Sequence, residues 1–265
     1  MMKFAKMKTL LSLFTLICTT LSMHADAKVE ADLERIADHV NKKTQSPWTW
    51  VFYGDSITHG AGHTDGRRSF PEIFHERARW EYHLSKDAVI NSGTSGDTTF
   101  GLLDENEYQR RVKRYDPQVV FVLIGFNDGN HPKCNGPDGF RARIEKLVER
   151  IQGDGAIVVL QTYNTVDVHA RWGEKNSYVI RWRALVDFNR IIRETAKKYS
   201  TILVDHDEYW KEHAADPKIL KSWLGEYVHP GAQGHLEMAN LIFKTLNMYD
   251  PKSRCSNVDV GTAKP

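Results

Sequence analysis

The stretch Thr49-Trp50-Val51-Phe52-Tyr53-Gly54-Asp55-Ser56-Ile57-Thr58-His59-Gly60 decides the architecture. Aromatic and β-branched residues run from Thr49 to Tyr53 without a polar break, and the run stops at a Gly-Asp-Ser turn signal. A strand that is apolar on both faces is expected to be covered on both, as in a parallel sheet flanked by helices. The pattern recurs in Ala88 to Asn91, Gln118 to Ile124, Ala156 to Gln161 and Thr201 to Val204, all short and rich in Val and Ile. Between these runs, Pro71 to His83, Phe100 to Tyr115, Phe140 to Gln152 and Leu185 to Tyr199 space their apolar residues by three and four, as helices do. A last helix is expected over Ala232 to Leu246 and an outer one over residues 30 to 43, with a short polar linker behind it. The alternation predicts one α/β domain, a three-layer α/β/α sandwich around a five-stranded parallel sheet.

Composition narrows the function classes. The 265 residues are 41% hydrophobic, with 18 Gly, 9 Pro and 3 Cys, which suits neither a disordered polymer nor a disulfide scaffold. The first 27 residues carry Lys3, Lys6 and Lys8, an apolar stretch from Leu10 to Leu21, and then Ala25-Asp26-Ala27. That is the plan of a secretory signal peptide, so residues 28–265 are expected to form the exported domain, periplasmic or extracellular, with 251–265 a polar tail. An uncleaved anchor is the alternative; Ile17 before Cys18 is not the small residue of a lipoprotein site. Beyond the leader, apolar runs such as Val119 to Phe126 are too short to cross a bilayer core of roughly 30 Å, and no stable membrane insertion is expected after cleavage. Removing three lysines and one aspartate from 36 basic and 34 acidic residues leaves 33 of each. A chain with no basic excess lacks the footprint of a nucleic-acid binder. Cys134 and Cys255 remain, either bridged so that the tail is pinned to the loop after Asn127, or two unrelated thiols.

Ligands of open α/β sheets bind beyond the carboxyl ends of the strands. Three of these ends carry unusual residues: Gly54-Asp55-Ser56, then Asn91-Ser92-Gly93-Thr94-Ser95-Gly96-Asp97, then Gly125-Phe126-Asn127-Asp128. Together with a late His229-Pro230 they stand in an order that resembles the SGNH, or GDSL, hydrolases over residues 51 to 230. The resemblance implies a flavodoxin-like fold and the hydrolysis of esters or thioesters, often short acyl groups on sugars or lipids.

Acyl transfer needs a nucleophile, a base and donors for a developing oxyanion. Ser56 is the candidate nucleophile, and the resemblance lifts His229 above the other eleven histidines as the base. The candidate oxyanion donors are the main-chain amides of Ser56 and Gly93 and the side chain of Asn127. Three residues before the histidine, where the family usually has an aspartate, this chain has Glu226. A carboxylate of either length can orient an imidazole. Three readings stand: Glu226 as the acid, a Ser-His dyad, or a carboxylate from elsewhere such as Asp205 or Asp207. Asp55, Asp97 and Asp128 read as carboxylates that brace loops by accepting turn amides.

His59 with His63, and Asp205-His206-Asp207, cluster without the spacing of a metal site, and no phosphate-cradling glycine loop appears, so no metal or cofactor is expected. Phe126, Tyr163, Trp172, Trp223 and Tyr227 lie near strand ends, either as a platform for a sugar ring or acyl chain or as core. The leading expectation is a secreted serine esterase acting on O-acetyl or other short acyl esters of a carbohydrate. The alternatives are a lysophospholipase or thioesterase of the same fold, an acyltransferase, and a carbohydrate-binding protein without activity. The expected partner is a small-molecule or glycan ester; the oligomeric state stays open.

Overall fold

In the computed structural model, which describes residues 27–42, 46–60, 62, 64, 66–167 and 177–257, Trp50 and Phe52 of strand β1 (Thr49–Gly54) face one helical layer and Val51 and Tyr53 the other. The same alternation holds along β3 (Val119–Leu123) and β4 (Ile157–Gln161), both buried throughout. With β2 (Ala88–Gly93) and β5 (Ile202–Val204) they form one five-stranded sheet in the order β2-β1-β3-β4-β5, every pair parallel. The expected three-layer fold is the observed one. As an edge strand, β2 departs from two-sided burial, with Ala88 and Asn91 exposed.

One layer contains α1 (27–40), α3 (Phe70–Glu76), α8 (His206–His213), α9 (Pro217–Trp223) and α10 (Ala232–Thr245). The other contains α4 (Thr99–Leu103), α5 (Glu105–Arg111), α6 (Gly136–Gly153) and most of α7 (Ser177–Tyr199). The chain leaves β1 for β2 on one side and then returns across it to β3, so the direction of winding reverses at β1. This switch point opens a crevice between the carboxyl ends of β1 and β3, where Gly54-Asp55-Ser56 and Gly125-Phe126-Asn127 stand.

Several expected boundaries moved for local reasons. The helix expected over Phe100 to Tyr115 breaks at Asp104, which ends α4 and caps α5 by accepting the Glu107 N–H at 3.0 Å. The one expected over Pro71 to His83 ends its α-helical part at Glu76 and continues as a π-helical turn over Arg77–Glu81. The α8 and α9 helices were not foreseen; Asp205 and Asp216 cap them, each accepting a first-turn amide. The tail runs back over the α3 side, with Glu81 accepting from Ser253 Oγ at 2.6 Å and from the Cys255 N–H at 3.1 Å. Cys255 is therefore buried on one side of the sheet and Cys134 on the other, both as unbridged thiols, and the tail is not tied to the loop after Asn127. The expected leader, except Ala27, lies outside the described residues, as do His63 and Trp172. Among the described residues no helix is long and apolar enough to cross a membrane.

Candidate active site

Ser56 opens a one-turn helix, α2 (Ser56–His59), immediately beyond β1, and is largely buried. Asp55 shapes this turn. Its Oδ1 accepts the Ile57 N–H and its Oδ2 accepts the Tyr163 hydroxyl, both at 3.1 Å, and its side chain is fully buried. Burial pushes the Asp55 carboxyl up to about 7 against the pull of those two hydrogen bonds. A raised acid holds its proton in the folded chain at pH values where the unfolded chain has lost it. Stability is therefore lost as pH rises from about 4 to about 7, and the cost is complete above that. Asp55→Asn can keep both hydrogen bonds, with Oδ1 accepting the Ile57 N–H and Nδ2 donating to a Tyr163 hydroxyl that has reversed to accept. This variant is expected to gain stability over the parent, by up to about 4 kcal/mol at pH 8 and by less at pH 5. Urea unfolding at the two pH values checks this; parallel profiles for the two proteins would contradict it.

His229 comes from the opposite end of the chain, on a loop closed at its base. Leu224 and Pro230 form an antiparallel bridge, the Gly225 N–H donates to the His229 carbonyl and the Gly231 N–H to the Trp223 carbonyl, each at 2.9 Å. The loop is also held from the side, by Asn164 Nδ2 on the Val228 carbonyl and the Asp167 N–H on the Tyr227 carbonyl. This places His229 Nε2 2.8 Å from Ser56 Oγ. The other ring nitrogen, Nδ1, bonds Glu226 Oε1. Glu226 Oε1 also accepts the N–H groups of Val228 and His229, and its Oε2 accepts that of Tyr227. Burial opposes the charge on Glu226, but the imidazole and these amides overcome it and hold the carboxyl down at about 2. Asp205 and Asp207 are engaged elsewhere. Both pair with Arg193, which ties α7 to the start of α8, and Lys211 adds to Asp207. His206 bonds Gln161 in the core, where burial pushes its imidazole down to about 3.

The third part follows β3. Asn127 opens a 3-10 turn (Asn127–Asn130); its Nδ2 donates to the Asp97 carbonyl at 3.0 Å, and its Oδ1 accepts from Arg181. Asp97 accepts the Thr98 N–H and pairs with Arg111, whose Nη2 reaches the carbonyls of Gly54 and Ser92 at the ends of β1 and β2. Asp128 accepts the Thr99 N–H and hydroxyl. All three aspartates thus brace loops, as expected of them.

Gly93 requires a correction. Its N–H donates to Asn91 Oδ1 at 3.0 Å, and a Cβ at Gly93 would lie 2.2 Å from the His59 nitrogen. Gly93 lets α2 lie against the edge of the sheet; its amide is taken by its own strand. Three residues on, Gly96 sits at φ +82, a backbone conformation open to glycine, inside the turn closed by the Asp97 N–H on the Thr94 carbonyl. Among the described residues, neither the Gly96 N–H nor the Ser56 N–H has a hydrogen-bond partner.

The aromatic residues divide clearly. Phe126, Tyr163 and Trp223 are core, whereas Tyr227, next to Glu226, is 51% exposed. His59 bonds Ser95. Among the described residues no group of three or more His, Cys, Asp or Glu side chains converges as metal ligands would. Arg111 and Arg181 escaped the sequence reading of the site, and Tyr163 entered it only as an aromatic platform or core residue, not as the partner of Asp55. Arg111 had a signal: it lies three positions after Tyr108 on the face that α5 buries.

Residues 52–236 match the model of the GDSL-like Lipase/Acylhydrolase family. Among solved structures, the α/β hydrolase LAE5 from the Lake Arreo metagenome superposes with a TM-score of 0.63 at 18% identity, over 78% of this chain and 98% of that one. A variant of Axe2, an acetyl xylan esterase from Geobacillus stearothermophilus, does so with a TM-score of 0.62 at 20% identity, over 80% of this chain and all of that one. At these identities the likeness is one of fold. An uncharacterized protein of Mycoplasma pneumoniae is 38% identical over 96 residues, 36% of this chain; the match spans 10% of that curated relative's length.

Proposed function

The chain belongs to the GDSL-like lipase/acylhydrolase family, so its α/β domain is a serine ester hydrolase, and from that premise we propose that the protein removes short acyl groups, O-acetyl first among them, from a carbohydrate. The observation that carries this reading is the unbroken series of hydrogen bonds from Ser56 Oγ through the His229 ring to Glu226. His229 Nε2 takes the Ser56 proton as Oγ bonds to the ester carbonyl carbon, and Glu226 steadies the imidazolium that results. The carbonyl oxygen gains the negative charge and is met by the N–H groups of Ser56 and Gly96 and by Asn127 Nδ2; Gly96 takes the role expected of Gly93. Collapse breaks the carbon–oxygen bond to the alcohol, which leaves with the proton from His229. Water, deprotonated by the same ring, then releases the acid and restores the Ser56 hydroxyl.

The exposed Tyr227 ring beside Glu226 supports a sugar as the alcohol part, since an aromatic face offers apolar area to a flat ring without excluding water from its edges. The acetyl xylan esterase activity of a protein with the same fold supports it as well. Residues 1–27 are read as an export signal, which would place the enzyme where polysaccharides are. A series of p-nitrophenyl esters from acetate to octanoate tests the acyl part, with release of acetate from acetylated oligosaccharides as the companion assay. Acetate is expected to exceed octanoate in kcat/KM by at least about tenfold, the scale on which a pocket discriminates methylenes. Preference for octanoate would replace this reading with a lysophospholipase- or thioesterase-type hydrolase.

A further inference from the structure

Arg181 reaches the active site because α7 is helical from Ser177, eight residues before Leu185, the first residue it buries. The first turns of α7 pack on the 3-10 turn that begins with Asn127. At Gly129 the two backbones approach so nearly that a Cβ would lie 2.8 Å from Arg181 Cα and 3.0 Å from Ala184 Cβ. From there Arg181 Nη1 donates to Asn127 Oδ1 at 3.0 Å, with the guanidinium 5.7 Å from the Phe126 ring centre and 5.6 Å from that of Tyr178.

Among the described residues nothing offsets the charge on Arg181. The other arginines behind the site have carboxylates, Arg111 with Asp97 at 2.5 Å and Arg143 with Asp128 at 3.8 Å. Among the described residues no carboxylate pairs with Arg181, and its Nε is buried without a hydrogen-bond partner. A side-chain amide can be turned either way round, and the turn that matters here is fixed by this contact. Reversing Asn127 would set its NH2 against the guanidinium. A charged donor on Oδ1 also polarises the amide and strengthens the hydrogen bonds that its Nδ2 donates.

We propose that Arg181 is a positioning residue for ester hydrolysis, which through Asn127 aims and strengthens one oxyanion donor and sets a positive charge one hydrogen bond behind the developing negative charge. The inference rests on the reading of Asn127 as an oxyanion donor. Because the ester carbonyl is uncharged before attack, the interaction grows only on the way to the transition state and belongs to kcat rather than KM.

A double-mutant cycle on the mature chain with p-nitrophenyl acetate tests it. Arg181→Met is expected to lower kcat about tenfold with KM changed by no more than about twofold. Arg181→Lys, which keeps the charge and a donor, recovers most of the loss. Asn127→Ala lowers kcat about 100-fold, and adding Arg181→Met to it costs less than about twofold more. Wild-type kcat in Arg181→Met, or the same tenfold loss in the Asn127→Ala background, would overturn the role of Arg181. Wild-type kcat in Asn127→Ala would instead overturn the oxyanion reading. Should the methionine variant unfold, Arg181→Gln in both backgrounds closes the same cycle.

Discussion

Replacing Ser56 by alanine is expected to lower kcat on p-nitrophenyl acetate by at least about 10,000-fold, the scale seen when a serine nucleophile is removed from a triad. Among the described residues the hydroxyl that bonds His229 Nε2 is that of Ser56. The fold should survive the change, since Ser56 is held by the backbone of α2 and Asp55, rather than Ser56, caps that turn. Kinetics and intact mass after a fluorophosphonate check this together. The parent should gain one adduct and the variant none; an adduct on the variant, or activity within about tenfold of the parent, would remove Ser56 from the chemistry.

The second large effect is expected at Glu226. Glu226→Gln should lower kcat by about 1,000- to 10,000-fold, because an amide orients the imidazole without stabilising its charge. The local geometry sharpens the expectation. Both carboxylate oxygens face donors: Oε1 takes the amides of Val228 and His229 with the imidazole, and Oε2 takes the amide of Tyr227 at 2.8 Å. A glutamine must turn its NH2 toward one of these sets, so it leaves at least one N–H unmet and loosens the turn that carries His229. Glu226→Asp keeps the charge and should retain more activity than the glutamine. The three rates measured side by side check the order; a glutamine variant as fast as the parent would leave Ser56 and His229 acting as a dyad.

The sheet was legible because its strands are unbroken apolar runs and the helices between them have clear spacing. The residues at the strand ends were legible because Gly, Asp, Ser and Asn stood where the runs stop. The remainder depended on directions that spacing does not carry. Gly93 and Gly96 lie in one short stretch, and which amide is available turns on the Asn91 side chain folding back onto Gly93. Spacing leaves Asp205 open as an alternative to Glu226, whereas in the fold Arg193, twelve residues earlier, holds it. The first turns of α7 bury no side chain before Leu185; they are helical where they meet the Asn127 turn, so the contact that brings in Arg181 belongs to tertiary packing.

Ser56 and His229 are 173 residues apart in the chain, yet the reaction proposed for them depends on one hydrogen bond between them. The serine follows the first strand of the sheet to be made, and the base lies in a loop made after all five strands. Until that loop has been made the hydroxyl is therefore an ordinary alcohol, without the imidazole of His229 to activate it. A product truncated before residue 224 keeps all five strands and lacks the proton acceptor. The hydrolytic power proposed here waits until residue 229 has been made and the domain has folded, so the order of residues along the polypeptide itself keeps an unfinished domain inert.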